Sequence, residues 1–525
     1  DSTDSPATRL VGEHTGSGVR FYWSRRDRIF VDNPTENTEW RADKYNNIRD
    51  LTSEGWEIDD RACIPKAKFL FEGEFTKPEY RVRFLGRNYG NAEYADRVYI
   101  GDEKNYIGPQ MLPIDDGQTG DFATGIAHRQ ADGTYTFKLE HKASYITFRP
   151  FSTQKAFRNA VGGEAVYTIE ISADQALCGW FDIKGDTIDL SSRPTDEKYK
   201  KISCSGAMNY LLNIPSEAFS ADDHSYAIMV VAPGTYTNFT VRYRFGPNFN
   251  FSTGYVTKTY PRVTFTAGKN KVISQKIQVE EYPADTYYMW DAAEPYWKGY
   301  EWNSTDPAQP VGGFATDHYP KSNTDTRWYN EVPSYAGADG AAPAVAASHG
   351  CKDCPNINEL LWYREYGLPY QDDEVFVLMN RLQSGRIWLK KLSVIAREQH
   401  KTVDELKEKA PDGIDYTRST KIPGGDHFHG GEVTQYGKPR NINDYFCLPL
   451  IGGYKPGGGD FTNSNRWFAG ADSPAVGFYW SSTPAPGSLD KAYVLEISFF
   501  PSQKTFAIRT MNRQYGFSRM WPVDR

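Results

Sequence analysis

The stretch GGGDFTNSNRWFAG, residues 457–470, carries side chains suited to binding a polyol. Its glycines give the backbone freedom, and its short amides and its carboxylate stand next to an indole ring on which a sugar can stack. We expect the ligand contacts to come from Asp460, Asn463, Asn465, Arg466 and Trp467. A plain surface loop is the alternative interpretation of the same composition.

The stretch GFYWSSTP, residues 477–484, places aromatic rings beside three hydroxyl side chains. Tyr479 and Trp480 have faces that could stack on a pyranose ring. Adjacent residues of a strand point to opposite faces, however, so at least one of the two should be in the core. The hydroxyls that follow can satisfy backbone groups. The segment is therefore predicted to build its domain rather than to bind.

Cys351 and Cys354 have a zinc-like spacing, but a second pair at a suitable interval is missing because Cys447 stands alone. Free thiols or a local disulfide are the alternatives. His427 and His429 could capture a metal weakly, or belong to a glycine-flanked mobile loop. We predict neither a metal site nor a cofactor.

Catalysis would need a nucleophile beside a base, or two carboxyl groups at a suitable separation. The acidic neighbours Glu280-Glu281 and Asp372-Asp373 are adjacent in sequence, and we expect them to be solvated. The G-x-S-x-G and Walker-type patterns are missing from the sequence. We therefore predict no catalytic residue and expect that the protein is not an enzyme.

Composition excludes several classes of protein. The formal net charge is −7 over 525 residues without a long block of one sign, which argues against a nucleic-acid partner. No run of eighteen apolar residues is present, and the six cysteines are too few for a disulfide scaffold. The sequence begins DSTDSPATR without an initiator Met, so we expect a processed chain that has been exported.

Alternating apolar and polar residues dominate the first half of the chain. YRVRFLG sets Tyr80, Val82 and Phe84 against Arg81 and Arg83. TYTFKLEH and NFTVRYRFG repeat the pattern, and RVTFTAGKNKVISQKIQV predicts two strands around a Gly-Lys-Asn turn. Period two with one polar face predicts antiparallel sheets with one side exposed to water. The order strand, turn, strand predicts two β-sandwiches in tandem.

The character changes after residue 279. Residues 281–349 are predicted to be loop-like, and helices are predicted at 356–367, with Asn356 as N-cap, and once or twice between Asp373 and Ala410. AYVLEISFF and KTFAIRT predict a closing hairpin. We thus expect a mostly β protein with three domains: a β-sandwich at 1–155, a second at 156–282, and an α+β domain at 283–525.

Two sets of segments resemble known families. KAKFLFEGEFTKPEYRVRFLGRNYG and FATGIAHRQADGTYTFKLEHKASYITFRPF resemble the first domain of the Bacteroidales fimbrillin-like proteins, which are subunits of cell-surface (type V) pili, and AIMVVAPGT and FTAGKNKVI resemble their second domain. CPNINELLWYREYG, YFCLPLIGGYKPGG, GFYWSSTP, AYVLEISFF and GFSRMWPV resemble the C-type-lectin-like domains of gut Bacteroidetes and Fibrobacter surface proteins. The resemblance implies two transthyretin-like or Greek-key β-sandwiches followed by a C-type-lectin-like domain.

The resemblance also implies a function, that of a pilus tip adhesin whose last domain meets a glycan or a host or bacterial surface protein. Its other partners would be pilus subunits, after transient anchoring to the outer membrane by an N-terminal lipid. Proteolysis after Arg20, or after Arg9, would open a groove that accepts a strand donated by the next subunit. The sequence stops four residues after Trp521, which we interpret as leaving no strand to donate.

Calcium-binding members of the C-type-lectin-like family carry Trp-Asn-Asp at one position. This sequence has Trp480-Ser481-Ser482 there, so no calcium site is expected. Two other functions stay open. One is an outer-membrane-anchored glycan-binding protein that never polymerises. The other is a glycan-processing enzyme, because the last domain is also similar in fold to formylglycine-generating enzymes, although a redox-active cysteine pair in a suitable context is not recognisable.

Overall fold

The chain folds into two compact units. It is mostly β, as predicted. The N-terminal unit comprises Asp1–Ser252 and Val256–Gln278, and the C-terminal unit comprises Thr253–Tyr255 and Val279–Arg525. The computed structural model describes residues 11–14, 19–24, 27–35, 39–48, 63–64, 66–86, 95–106, 120–158, 165–206, 212–217, 225–246, 254–310, 317–332, 346–423, 431–457, 475–500 and 503–525. Within these ranges every helix is too short or too polar to cross a membrane.

The described residues before position 277 form twenty-one strands. They are β1 (Val11–His14), β2 (Val19–Ser24), β3 (Ile29–Val31), β4 (Arg41–Ala42), β5 (Tyr45–Asn46), β6 (Cys63–Ile64), β7 (Phe69–Leu70), β8 (Glu79–Phe84), β9 (Arg97–Ile100), β10 (Glu103–Tyr106), β11 (Ala123–Arg129), β12 (Tyr135–His141), β13 (Ser144–Phe151), β14 (Ala165–Ser172), β15 (Gly179–Lys184), β16 (Thr187–Ile188), β17 (Lys201–Gly206), β18 (Ala227–Val231), β19 (Gly234–Gly246), β20 (Gly254–Phe265) and β21 (Asn270–Lys276). Short 3-10 helices span Lys155–Arg158, Leu190–Ser192 and Glu197–Lys200.

These strands form several sheets. The strand orders are β1-β2-β6, β12-β11-β8-β3-β4, β18-β13-β21, β16-β15-β9, β5-β7 and, in one further sheet, β10-β17-β14-β19-β20. β13 pairs in antiparallel fashion with β18 and in parallel with β21, both of which come much later in the sequence. The sequence-derived boundaries at 155 and 282, and the Greek-key or transthyretin-like connections, stay predictions.

The predicted alternation is confirmed in β19. Phe239, Val241, Tyr243 and Phe245 are fully buried, and the residues between them are partly exposed. Large apolar side chains on one face of a strand supply the burial that holds a sheet to its neighbouring layer. The period of the residues therefore set which face of this strand is inside.

The expectation of a wet face fails at Arg83 in β8. Its side chain is buried: Nη1 donates to Ala95 O at 2.7 Å and Nη2 to Gly185 O at 2.7 Å, while the guanidinium lies 4.0 Å from the centre of the Trp40 ring. Burial lowers the pKa of Arg83. Backbone carbonyls and an aromatic face replace water here, and these partners come from elsewhere in the chain.

In the C-terminal unit the described residues form strands and three helices. The strands are β22 (Glu281–Tyr282), β23 (Tyr287–Tyr288), β24 (Tyr370–Leu378), β25 (Arg381–Lys390), β26 (Gly431–Glu432), β27 (Gln435–Tyr436), β28 (Tyr445–Pro449), β29 (Ala475–Pro484), β30 (Lys491–Phe499), β31 (Lys504–Asn512) and β32 (Phe517–Ser518). The helices are α1 (Ile357–Tyr366), α2 (Leu392–Glu398) and α3 (Val403–Glu408), with a 3-10 turn at Ile442–Asp444. β23-β32-β29-β30-β31-β26 form one sheet, and β24-β25-β28 are consecutive in another.

Helix α1 begins where the sequence predicted. The Asn356 side chain accepts from Glu359 N at 3.0 Å, and the Glu359 carboxylate accepts from Asn356 N at 2.8 Å. This capping box satisfies two backbone donors that a helix N-terminus leaves open. Helix α1 packs its apolar residues into the main core of the unit, beside β29 and β31.

The one or two helices predicted between Asp373 and Ala410 are confirmed as α2 and α3. The residues before them, Tyr370–Leu378 and Arg381–Lys390, form an antiparallel hairpin. Its turn residues, Met379 and Asn380, have φ of 49° and 56°, the left-handed pair that a two-residue hairpin turn requires. Within the predicted range, the first helix begins at Leu392. Met-Asn is a weak turn signal, so the hairpin was missed.

Candidate functional site

The predicted ligand-binding residues lie outside the described residues. Asp460, Asn463, Asn465, Arg466 and Trp467 all fall within the range 458–474. His427 and His429 likewise fall within the range 424–430, which is not described. The assignments at these positions stay predictions.

The chain segments on either side of residues 458–474 are joined to each other. Gly452 N donates to Val476 O at 2.8 Å, and Gly452 forms a parallel bridge with Gly477. The described residues on either side of this range are therefore adjacent to each other in the sheet. We call residues 458–474, with this joined base, the anchored segment.

Aromatic rings fill the base of the anchored segment. Tyr454 is fully buried, its ring stacks on Tyr296 at 5.7 Å between ring centres, and it meets Tyr287 edge-on at 4.9 Å. Its hydroxyl donates to Pro310 O at 3.1 Å, and its backbone exchanges two hydrogen bonds of 2.8 Å with Gly516. Packed rings with satisfied hydroxyls make a rigid support.

Tyr479 and Trp480 in β29 are both fully buried. Trp480 Nε1 donates to Tyr288 O at 2.8 Å, and the Tyr479 hydroxyl donates to Pro449 O. Both faces of β29 are therefore covered by the unit. The possibility that these rings stack on a sugar is wrong, and the prediction that the segment builds its domain is confirmed.

The hydroxyls of the same segment bind backbone groups, as predicted. Ser481 Oγ accepts from Thr483 N at 3.2 Å, and Thr483 Oγ1 accepts at 3.1 Å from Ile357 N, the first residue of α1. Ser482 N donates to Pro355 O at 2.9 Å. These hydrogen bonds thus connect β29 to the N-terminus of α1.

Asp291 is a buried residue of the C-terminal unit whose carboxylate accepts several hydrogen bonds. Its carboxylate accepts from Asn330 Nδ2 at 2.7 Å, Ser348 N at 2.8 Å, His349 N at 2.7 Å and Cys351 N at 3.2 Å. The side chain has no solvent exposure, and its φ of 51° is left-handed. The Asp291 carboxylate therefore connects Asn330 and residues 348–351 to the segment that follows β23.

Sequence reasoning missed Asp291. The available signal was its apolar setting in YYMWDAA, because a carboxylate among aromatic and alanine residues is a candidate for burial. A single acidic residue in a loop-like stretch does not name its partners, and these lie 39 to 60 positions away in sequence.

Arg513 is a second buried charge. Its Nε donates to Lys491 O at 3.0 Å, its Nη1 donates to Asn330 O at 2.9 Å and Val332 O at 2.8 Å, and the guanidinium lies 4.4 Å from the Trp290 ring centre. Burial lowers its pKa to about 10. Carbonyl oxygens satisfy this cation, so it stabilises the loop path rather than offering a binding site.

Asp372, which we expected to be solvated, is fully buried. Trp388 Nε1 donates to one of its oxygens and Glu374 N donates to the other at 2.9 Å. Arg386 lies 3.8 Å from this carboxylate and 3.7 Å from the carboxylates of Glu374 and Glu280. Burial raises the pKa of Asp372. Both oxygens are engaged, so the arrangement is that of a structural ion cluster.

Cys351 and Cys354 are buried in the main core and are free thiols in this structure. Burial raises the pKa of the Cys351 thiol, and it raises that of Cys447 to about 11. In the part of the chain that the structure describes, no three His, Cys, Asp or Glu side chains group in a way that could hold a metal ion.

The proposed processing sites lie at the start of the N-terminal unit. Arg9 is outside the described residues, and Arg20 lies in β2, paired with Glu13 of β1. After Arg20, the buried residues of β2 are Phe21 and Trp23. β1 pairs only with β2 among the described strands, so it is the edge strand of its small sheet.

Comparison with known proteins gives distant similarities. No family model matches the chain, and no curated protein matches it. A candidate cell adhesion protein of Bacteroides uniformis is similar over 51% of this chain and 94% of its own, with 14% identity and a TM-score of 0.27. One of Bacteroides fragilis is similar over 53% and 88%, with 12% identity and a TM-score of 0.26.

A fimbrial protein of Bacteroides ovatus is similar over 95% of this chain and 94% of its own, with 8% identity and a TM-score of 0.24. These three similar structures are thus adhesion or fimbrial proteins. At such identities and TM-scores, the similarity defines neither the fold nor the function of this chain.

Proposed function

We propose that the chain is a cell-surface fimbrial adhesin that binds a glycan or a protein through its C-terminal unit. The observation that carries the proposal is the anchored segment: its flanks meet at Gly452 and Val476, and Tyr454, two residues after Gly452, is fully buried. A long segment rich in amides and glycine, held by a rigid base, is a typical recognition element.

Assembly into a pilus would use the N-terminal unit as a strand acceptor. Cleavage after Arg20 removes β1 and leaves the backbone groups of β2 beyond that point without their partner, whereas cleavage after Arg9 leaves β1 in place. Unpaired strand edges bind another strand through main-chain hydrogen bonds. The geometry therefore favours Arg20 over Arg9 as the processing site.

Limited digestion with an arginine-specific protease tests the acceptor. We expect a first product that begins at Phe21 and stays folded, because Phe21 and Trp23 remain buried. A synthetic peptide of residues 9–20 should then bind to the clipped chain and not to the intact one. The measurements are N-terminal sequencing and titration of the labelled peptide.

Arg20→Lys is the matched control, since it keeps the charge and resists the protease. This variant should keep its N-terminus and should not bind the peptide. A clipped chain that unfolds, or that stays folded without binding the peptide, would favour the glycan-binding protein that never polymerises.

We propose a position at the pilus tip from the resemblance to pilus subunits, and the last described strand is part of the C-terminal unit. β32 is paired with both β23 and β29, and Trp521 Nε1 donates to Trp480 O at 2.9 Å. Lys391 Nζ donates to the Asp524 carboxylate at 2.5 Å. These contacts hold residues 517–524 within the C-terminal unit.

Substitution in the anchored segment tests the ligand contacts. On a glycan and surface-protein array, Trp467→Ala and Asn465→Ala in the full-length chain should each lower the signal of any bound ligand at least tenfold. The reason is the loss of a stacking face in the first variant and of an amide hydrogen bond in the second.

Asn303→Ala provides the control, because Asn303 is exposed and lies elsewhere in the C-terminal unit. It should bind as the unmodified chain does, and all three variants should keep the same thermal midpoint. Unchanged binding by both loop variants would reject this location. Release of product from an arrayed glycan would instead support the glycan-processing enzyme.

A further inference from the structure

We infer that Cys351 and Cys354 form a disulfide bond that closes the turn leading into α1. The first support is the turn itself. Cys354 N donates to Cys351 O at 3.1 Å, a hydrogen bond between residues three apart. Such a β-turn brings its end Cα atoms within about 7 Å, and disulfides span Cα separations of about 4.4–6.8 Å.

The second support is the orientation of the two sulfur atoms. Cys351 Sγ accepts from Asp291 N at 3.2 Å, and Cys354 Sγ lies 4.0 Å from Arg519 O. Both side chains belong to one core cluster, and burial, followed by hydrogen bonding to Cys354, raises the pKa of the Cys351 thiol. The turn therefore places both sulfurs in one core, so oxidation needs little backbone movement.

The reaction is an ordinary thiol–disulfide exchange. A disulfide oxidant, either a small molecule such as oxidised glutathione or an exchange protein, gives up its S–S bond. The two cysteines lose two protons and two electrons and gain one S–S bond, and the oxidant leaves as two thiols. Exposure of the turn during folding gives the oxidant access, and later burial shields the bond from reductants.

The bond would hold the turn that connects Asp291 to the helix. Cys351 N binds the Asp291 carboxylate, and Asn356, two residues after Cys354, is the N-cap of α1. A cross-link of this kind restricts the unfolded chain and so favours the folded one. The inference rests on the proposed function only for the oxidising compartment that export supplies.

Peptide mapping tests the bond directly, because Lys352 stands between the two cysteines. The purified full-length chain is refolded with reduced and oxidised glutathione, then blocked, denatured and digested with trypsin. Without reduction, peptide 328–352 should stay linked to peptide 353–364, and reduction should separate them. Alkylation of the denatured chain should label four of its six cysteines before reduction and all six after it.

Reduction should also lower the thermal midpoint of the C-terminal unit by about 5 °C, as expected for a short closed loop. Cys178→Ser serves as the control: it should keep the linked peptides and the same response to reductant. Six labelled cysteines before reduction, or linkage of either cysteine to Cys447, would overturn the inference. Because the assay needs neither ligand nor pilus partner, its failure is separate from failure of the proposed function.

Discussion

Trp480→Ala is expected to lower the free energy of unfolding of the C-terminal unit by about 4 kcal/mol. Trp480, a residue of β29, is fully buried in the main core. Truncation removes its packing and leaves Tyr288 O without the indole donor that now lies at 2.8 Å. The measurement is urea unfolding, monitored through the hydrogen exchange of peptides from each unit.

Trp180→Ala is the matched control, because Trp180 is a half-buried tryptophan of the N-terminal unit. It should leave the exchange of C-terminal peptides unchanged. Trp480→Phe should lose less stability than Trp480→Ala, since it keeps most of the ring. If Trp480→Ala and Trp180→Ala had equal effects on the C-terminal peptides, the buried position of Trp480 would be refuted.

Asp291→Ala is expected to be about as damaging, at about 4 kcal/mol, because several buried donors lose their acceptor at once. The Asn330 amide and the backbone N–H groups of Ser348 and His349 lie 2.7–2.8 Å from the carboxylate. Alanine also fits the left-handed backbone poorly. Thermal unfolding and hydrogen exchange over residues 346–351 would measure the loss.

Asp291→Asn separates the two causes. Asparagine tolerates left-handed φ and keeps one acceptor oxygen, so its loss of stability should fall between those of the unmodified chain and Asp291→Ala. Asp306→Ala removes an exposed carboxylate of the same unit and should leave the midpoint unchanged. Equal midpoints for Asp291→Ala and Asp306→Ala would contradict the role of Asp291.

Local sequence signals predicted much of the secondary structure. The alternation around Val241 gave the buried face of β19, and Asn356 marked the start of α1 through its capping box. The hairpin of β30 and β31 formed in the expected place, with Lys491 opposite Asn512. Each of these features depends on residues that are near one another in sequence, where propensity and periodicity act.

The candidate site was predictable only in part. The composition of residues 457–470 drew attention to a polar, glycine-rich stretch, and the structure adds the joined base at Gly452 and Val476. The local sequence does not predict this contact, because Gly452 and Val476 are more than twenty positions apart. The roles of Asn465 and Trp467 stay predictions.

The sequence by itself determined the strand-rich composition, the periodicity of the strands and the helix start at Asn356. Only the tertiary structure decided that β21 pairs with β13 rather than with its neighbour β20, and that Arg83, Asp291 and Asp372 are buried. The physical reason is that burial of a charge depends on which distant carbonyls and N–H groups surround it. Those partners come together only when the chain is folded.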